Sequence, residues 1–534
     1  MHQSLLRLFL ITGITLNGLF GHAQSPTVGL LYWQSSSSEG YSLFSPQINN
    51  KVYLIDNCGQ KINEWTFTGV PSQTCHILPS GNLLRAGFDY IEIRDWDNNV
   101  VWNHDKNAHN FSQHHDIHPL PNGNVLCLVF DIYGPNQMIA QGRNPALLSG
   151  WFWLDKIVEL KPVGNSSASV VWEWKFIDHL IQDYDNTKLN YGVVVDHPEL
   201  LDVNFDNDQT DDFTHCNAIE YNAELDQIMI SSRNLSEIFI IDHSTTKTQA
   251  AGHTGGNSNR GGDFLWRWGN PQVYRQGGPQ DEKLFLSHDP KWVPDGSSDE
   301  GKISVFNNYG DGSGNYSSVH LLTPQFENWQ YLMQDNKFLP LDFDWSWHGT
   351  ILGETLFEST QAGVQSLPNG DVFICQTSIG QLSELTKDGT LLWAYKNPSA
   401  ERIYNQYETK IAGNSLFRAE KYPQDYVGFD GKDMTPKGLI EDINPISDSC
   451  DSWTGIEKQD MASLMVVNPV EDGIIQFSRE FTAQAVVITD LSGKIMLRVA
   501  AFTGRSLRVN LKPSLYVLQL FSEENIQTRK ILVR

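Results

Sequence analysis

HHDIHPLPNGNVLCLVF, residues 114–130, is the stretch from which the fold is read: a short histidine-bearing segment, a Pro-Asn-Gly turn, then an unbroken apolar run of strand length. Its turn-and-strand half recurs as LPSGNLL from Leu78, DQIMISSR from Asp226, GKISVFNN from Gly301, LPNGDVFICQT from Leu367 and GNSLFRA from Gly413. A second kind of strand, ending near an acidic residue or turn, begins at Val52, Ile91, Ile157, Ile238, Val319 and Leu382. A Trp-bearing strand follows each one, at Trp65, Trp102, Trp172 with Trp174, Trp266 with Trp268, Trp329, and Trp393. A unit repeated every few tens of residues signals a solenoid or a propeller, since one small sheet cannot bury both its faces alone. The expected fold is therefore all-β, a six-bladed β-propeller over residues 24–430. Two stacked sheets are the rival, and they leave the sixfold tryptophan unexplained. The longest insertion, Phe176 to Asp212, reads as a lid or rim loop.

The composition agrees. Sixteen Trp, 18 Tyr, 26 Phe and 42 Gly suit aromatic-rich strands joined by tight turns. A formal charge of -25, from 63 acidic against 38 basic residues, disfavours nucleic acid and anionic membrane surfaces as partners. At the amino end, Arg7 precedes an apolar run from Leu8 to Phe20 and a small-residue site at Gly21-His22-Ala23, the pattern of a signal peptide over residues 1–23. The competing reading, a membrane anchor, needs about 20 apolar residues, and no segment reaches that length. The expected product is exported through the periplasm and is secreted or held at the cell surface, where disulfides are permitted. Cys58 and Cys75 are one candidate pair, worth about 3 kcal/mol if joined. Cys127 and Cys375 fall inside apolar strands and read as buried thiols, while Cys216 and Cys450 stay unassigned.

Residues 431–459, rich in Asp, Ser, Pro and Gly, read as a linker. Residues 460–534 alternate apolar and polar positions between turns, as a small C-terminal β-sandwich does. This segment resembles the type IX secretion sorting domain in Asn468-Pro469, Asp490-Leu491-Ser492-Gly493, Leu515-Tyr516 and the closing Lys530-Ile531-Leu532-Val533. The resemblance implies the type IX secretion machinery as a partner, with an ordinary accessory sandwich as the alternative.

Counting back seven residues from the turn positions Asn122, Asn222 and Asp295 reaches His115, His215 and His288. Equivalent positions of neighbouring blades surround one axis, so these imidazoles are expected to converge at one mouth of the channel. A single histidine reads as a structural residue; three in register do not. His114 or His118 takes the place of His115 if the register is off by a turn. The strands after the turns place Asp131, Arg233 and Asn308 at a second shared position. An arginine beside three histidines favours an anion over a metal ion, because its fixed charge repels cations and its planar donors fit an oxyanion.

The order HHDIHPLPNGNVL, THCNAIEYNAELDQIMISSR, WRWGNP, LSHDPKWVPDG and ISVFNN resembles the arylsulfate sulfotransferase family, from about Val28 to Gly431. The resemblance implies transfer of a sulfuryl group from an aryl sulfate to a phenol with no nucleotide donor and no cofactor, through a sulfohistidine. By position, His288 matches the nucleophile, His215 and Arg233 the charge-stabilising pair, and His115 the remaining channel histidine. Asn308, with His114 and His118, falls among the substrate-binding candidates. Two other classes stand beside this reading. Three histidines can hold Zn²⁺ with an open position, as in a hydrolase, or the propeller can be a noncatalytic secreted ligand-binding module. The acidic loop from Asp202 has oxygen spacing compatible with Ca²⁺ but lacks the EF-hand glycine, and reads as a solvated loop.

Overall fold

The computed structural model describes residues 26–69, 71–87, 90–105, 112–207, 212–442, 466, 470, 473–491, 494–521 and 526–534. The signal-peptide segment and residues 443–459 of the linker lie outside them. The chain divides into two compact units, Met1–Asn444 and Pro445–Arg534.

The described residues of the first unit form a β-propeller with six antiparallel sheets of four or five strands. The second sheet runs outward through Pro71–Ile77, Leu83–Gly87, Tyr90–Arg94 and Val100–Asp105. The third comprises Gln113–Pro119, Val125–Tyr133, Phe152–Val163 and Ser167–Lys175; the fourth comprises Cys216–Asn222, Gln227–Ser232, Glu237–Asp242 and Trp266–Trp268. His288–Trp292, Ile303–Asn307, Ser318–Leu322 and Trp345–Trp347 make the fifth, and Gly363–Ser366, Val372–Gln376, Gln381–Leu385 and Leu391–Lys396 make the sixth. The first sheet is assembled from both ends of the unit: Leu416–Pro423 forms its innermost strand beside Gly40–Pro46, Lys51–Ile55 and Lys61–Thr66. Gly29–Trp33 joins the sixth sheet as a fifth, outermost strand. Each innermost strand packs against the next around a closed ring.

The core is accordingly a set of layers between neighbouring sheets. Leu43, Val52 and Trp65 of the first sheet pack with Ile77 and Leu83 of the second. Leu84 and Trp102 pack with Cys127 and Val158 of the third, and Phe373 and Trp393 of the sixth close the circle against Phe44 and Tyr53. Every sheet buries both faces this way, which is why none needs a second layer of its own.

The repeated tryptophan has a specific task. Trp65 donates its indole N–H to the Asp95 carbonyl in the second sheet (2.8 Å), Trp102 to Ser167 in the third (2.8 Å), Trp345 to Lys387 in the sixth (3.1 Å) and Trp393 to Asn57 in the first (2.7 Å). A ring that fills the layer and a polar edge that pins the neighbouring sheet's turn suit one residue type. The fifth member of this series is Trp345, not Trp329; Trp329 sits on a short hairpin, 43% exposed. The other correction of phase is GNSLFRA. It supplies the innermost strand of the first sheet, whereas the second-strand position there belongs to Gly40–Pro46.

Residues 431–442 are bound to the propeller: the Lys61 N–H donates to the Gly438 carbonyl, Gln60 bridges Leu439, and Ile440 is buried. Cys58 is disulfide-bonded, and Cys75 is a free buried thiol, so the two do not pair with each other. Cys127, Cys216 and Cys375 are also free and buried. The described residues of the second unit form a four-stranded antiparallel sheet of Ile474–Thr489, Ile495–Arg508, Ser514–Phe521 and Ile526–Val533, with Val466 and Val470 bridging to Phe477 and Val533. Leu515-Tyr516 and Lys530 to Val533 lie in its strands; Asn468-Pro469 and Ser492-Gly493 lie outside the described residues. Among the described residues no helix is long and apolar enough to cross a membrane.

Candidate active site

The inner strands of the third, fourth and fifth sheets each begin with a local irregularity. Register shifts fall between Cys127 and Val129 opposite residues 114–116, at Cys216 and Ala218, and between His288 and Lys291. His115, His215 and Asp289 adopt left-handed backbone, with φ of 55°, 43° and 54°. Such bulges re-aim side chains, and non-glycine residues hold this conformation at a cost of about 1–3 kcal/mol only where the surroundings enforce it.

The enforcement comes from Arg418, on the innermost strand of the first sheet. Its guanidinium donates to Asp116 Oδ2 (2.7 Å) and the Asn217 carbonyl (2.5 Å) and forms an ion pair with Asp289, Nε to Oδ1 3.1 Å. These three partners are the bulge residues of the three histidine-bearing strands. Burial works against the Arg418 charge, but Asp289 and Asp116 together hold its pKa above the ordinary value. One side chain thus ties three sheets to a fourth at the channel.

Above this tie the imidazoles meet. His115 Nε2 and His215 Nε2 are 3.2 Å apart, so one carries the proton and donates to the other. His215 Nδ1 faces the Asp212 carboxylate at 2.5 Å. Burial first, then the neighbouring His114, His215, His288 and Arg418, push the His115 pKa well below its usual value, which makes that ring neutral. His114 belongs to the same group. Its ring stacks on Phe130 (3.7 Å), lies 4.2 Å from the His115 ring, and its Nδ1 bonds Asp155 at 2.7 Å. Asp155 is itself held by Thr214 and the Cys216 N–H, both at 2.7 Å.

His288 is 1% exposed and lies within electrostatic range of His115, His215, Arg233 and Arg418. Its Nδ1 faces two acceptors, Asn308 Oδ1 (2.7 Å) and the Leu286 carbonyl (3.0 Å), so the proton resides there. Nε2 is left with its lone pair, which accepts from the Gln361 N–H at 3.1 Å. Burial pushes the His288 pKa down to about 3. Asn308 is fully buried and donates to the Glu358 and Gln361 carbonyls (2.9 Å each), so it stands on the Nδ1 side of the ring as an orienting group rather than on a surface that meets substrate.

Arg233 is half-buried, donating to Asn234 Oδ1 (2.9 Å). Its backbone N–H bonds the His215 carbonyl (3.1 Å). Among the described residues no carboxylate lies within 4.0 Å of its guanidinium. Asp131 accepts from the Tyr133 hydroxyl; alternation along the strand places it opposite Phe130, which faces His114, so it is not part of the site. His118 is not with the other imidazoles either. It lies in a second charged layer with His76 (ring centroids 5.8 Å), Glu220, Lys291 and Glu420, where burial drives its pKa down to about 3. A cavity of about 10 Å³ in this layer has room for about one water.

Asp155, Asp212, Asn217, Gln361 and Arg418 were not singled out from the sequence. Arg418 was within reach, since it falls in the repeated segment GNSLFRA; the misplaced phase of that segment concealed it.

The fold and its channel define a β-propeller whose inner strands bring histidines and an arginine together. The profile of the arylsulfotransferase (ASST) family matches residues 77–398, more than half of the chain, and the chain belongs to that family. Membership supports aryl sulfotransfer as the general activity. No curated protein matches. Similar solved structures include a protein of unknown function from Bacteroides caccae (13% identity, 72% of this chain and 98% of that one, TM-score 0.38). Two others are a streptogramin B lyase (10%, 75% and 94%, TM-score 0.34) and the β-propeller domain of Myceliophteria thermophila Cps50 (10%, 70% and 90%, TM-score 0.36). Likeness at this level carries no argument about function.

Proposed function

We propose that the protein moves a sulfuryl group from an aryl sulfate to a phenolic acceptor through a covalent sulfohistidine on His288. The observation that carries this reading is the state of His288: a neutral ring with its proton on Nδ1, a lone pair on Nε2, and Arg233, His115 and His215 within electrostatic range of the ring. Substrate entry displaces the Gln361 N–H from that lone pair. Nε2 then attacks sulfur, the sulfur–aryl-oxygen bond breaks, and its electron pair leaves with the phenolate. In the second half the acceptor oxygen attacks sulfur, the N–S bond breaks and its electrons return to Nε2, while the phenol proton passes to a neighbouring imidazole. Arg233 is free to face the sulfuryl oxygens, and removing a donor of this kind costs about 10²–10³ in rate. Tyr309, close enough to influence Arg233, pairs edge-on with Phe357, which is 38% exposed, and this pair suits the aryl ring.

Mass spectrometry after incubation with an aryl sulfate is expected to show an acid-labile sulfuryl adduct on the His288 peptide. His288→Ala is expected to abolish adduct and transfer, by about 10³-fold or more, in a folded protein; wild-type-like turnover in that variant overturns the assignment. Export and use of the second unit as a type IX sorting signal complete the proposal, on the sequence features given above.

A metal-dependent hydrolase has one observation in its favour. Ring nitrogens of His114, His115 and His215 lie within 4.8 Å of one another, a different trio from the three in sequence register. Turnover that persists in a chelator-treated, metal-free enzyme removes this second reading.

A further inference from the structure

A second group of ligating side chains lies outside the channel. His179 ends the short turn Phe176–His179 that opens the long insertion, His253 follows the helix Lys247–Ala250, and Asp263 closes the glycine-rich loop before the strand Trp266–Trp268. His179 Nδ1 is 2.8 Å and His253 Nδ1 2.7 Å from the same oxygen, Asp263 Oδ1. One ligand atom from each of the three lies within 4.8 Å of the others.

The His179 ring is locked. It is fully buried, stacks parallel to Trp174 at 5.4 Å, and its Nε2 lies 2.9 Å from the Ala250 carbonyl. Trp174 donates to the Gly262 carbonyl at 2.7 Å, and Gly262 is required to be glycine: a Cβ there would fall 2.0 Å from the Ala250 oxygen and 2.6 Å from His179 Nε2. Because Nε2 faces a carbonyl, the proton of a neutral ring belongs on Nε2. The Nδ1 lone pair is then aimed at the carboxylate and at His253. Two lone pairs facing one another at 2.8 Å inside a protein call for a cation between them, either a second ring proton or a Lewis acid. Imidazole ligands characteristically donate their far N–H to a backbone carbonyl while the near nitrogen binds the ion.

We propose that His179, His253 and Asp263 hold one divalent transition-metal ion, of which Zn²⁺ best fits two imidazoles and a carboxylate. A displacement of a few tenths of an ångström opens the three ligand atoms to metal–ligand distances of about 2.0–2.2 Å. His253 is 60% exposed, which gives the ion an entry path and leaves a coordination position for water. The ion would staple the start of the insertion to the loop of residues 251–263.

Co²⁺ absorption separates this site from the channel histidines when titrated into two variants: His115→Ala, which dismantles the channel trio, and His115→Ala with His253→Ala. The first is expected to take up one Co²⁺ with the visible bands of a low-coordinate site and to gain thermal stability that a chelator reverses. The second is expected to bind at least 10-fold more weakly. Its exposed position makes His253 replaceable without loss of fold. No uptake by the first variant, or equal uptake by both, overturns the proposal and leaves a proton on His179 as the balancing charge. Neither result bears on the sulfohistidine reading, which is measured separately by the His288 adduct.

Discussion

The tautomer of His288 is set by two oxygens, and of the two only Asn308 is a side chain that can be exchanged. Removing its Oδ1 leaves the Leu286 carbonyl as the sole partner of Nδ1 and lets the ring turn. Asn308→Ala is expected to lower kcat by roughly 10- to 100-fold, the scale for loss of a group that orients an imidazole, with KM nearly unchanged. The steady-state split tests this, since a binding role would move KM instead. The pH dependence follows from the same contacts. A His288 pKa of about 3 keeps the ring neutral, with Nε2 free of a proton, throughout the neutral and mildly acidic range, so lowering pH from 7 to 5 is expected not to slow adduct formation. Asn308→Asp places a carboxylate on Nδ1 and favours the protonated ring, which raises its pKa and carries an acid limb up into that range. Rapid-quench mass spectrometry of the adduct across this interval reads both effects.

At the scale of elements, the sheets were legible and their phase was not. Strand runs such as VLCLVF and VFICQ, and the Pro-Asn-Gly turns before them, carry local signals that survive without context. Ring closure carries none: Leu416–Pro423 pairs with Gly40–Pro46 across nearly the whole unit, and nothing local distinguishes it from a second strand. The same difficulty picked Trp329, which follows its strand at the usual interval, over Trp345, displaced by the intervening hairpins. The register of His115, His215 and His288 was readable because three bulges fall at equivalent positions, while their tie lay on the mis-phased strand. Arg418 links four sheets, and Asp116 and Asp289 are buried beside it. Arg418→Met is expected to cost about 3–5 kcal/mol by leaving buried carboxylates unpaired, seen as a lower urea midpoint, with transfer activity lost as the bulges relax. Arg418→Lys keeps the charge without the three-way reach of the guanidinium, and is expected to recover stability in part and activity little.

For the whole molecule the question is where the propeller ends. Closure of the first sheet is complete at Pro423, yet the chain goes on contributing: Lys437 donates to the Lys61 carbonyl (2.7 Å) and to Asn63 (3.1 Å), Asp442 bridges Asn405, and Ile440 is buried against the layer between the sixth and first sheets. These contacts hold the outer strand of a sheet built from distant parts of the chain. The second unit has a core of its own around Ile475, Val486, Leu518 and Ile531. Two truncations, both made with Cys58→Ser so that the disulfide does not enter, distinguish the roles. Ending the chain after Asn444 is expected to preserve transfer activity and the melting temperature of the full-length Cys58→Ser protein. Ending it after Asp430 strips the latch along the first sheet and is expected to lower the melting temperature by a few degrees, the scale for losing a handful of hydrogen bonds and one buried side chain in a unit of this size. Equal stability of the two would mean that residues 431–442 ride on the propeller without supporting it, and a loss of folding in both would mean that the second unit stabilises the first.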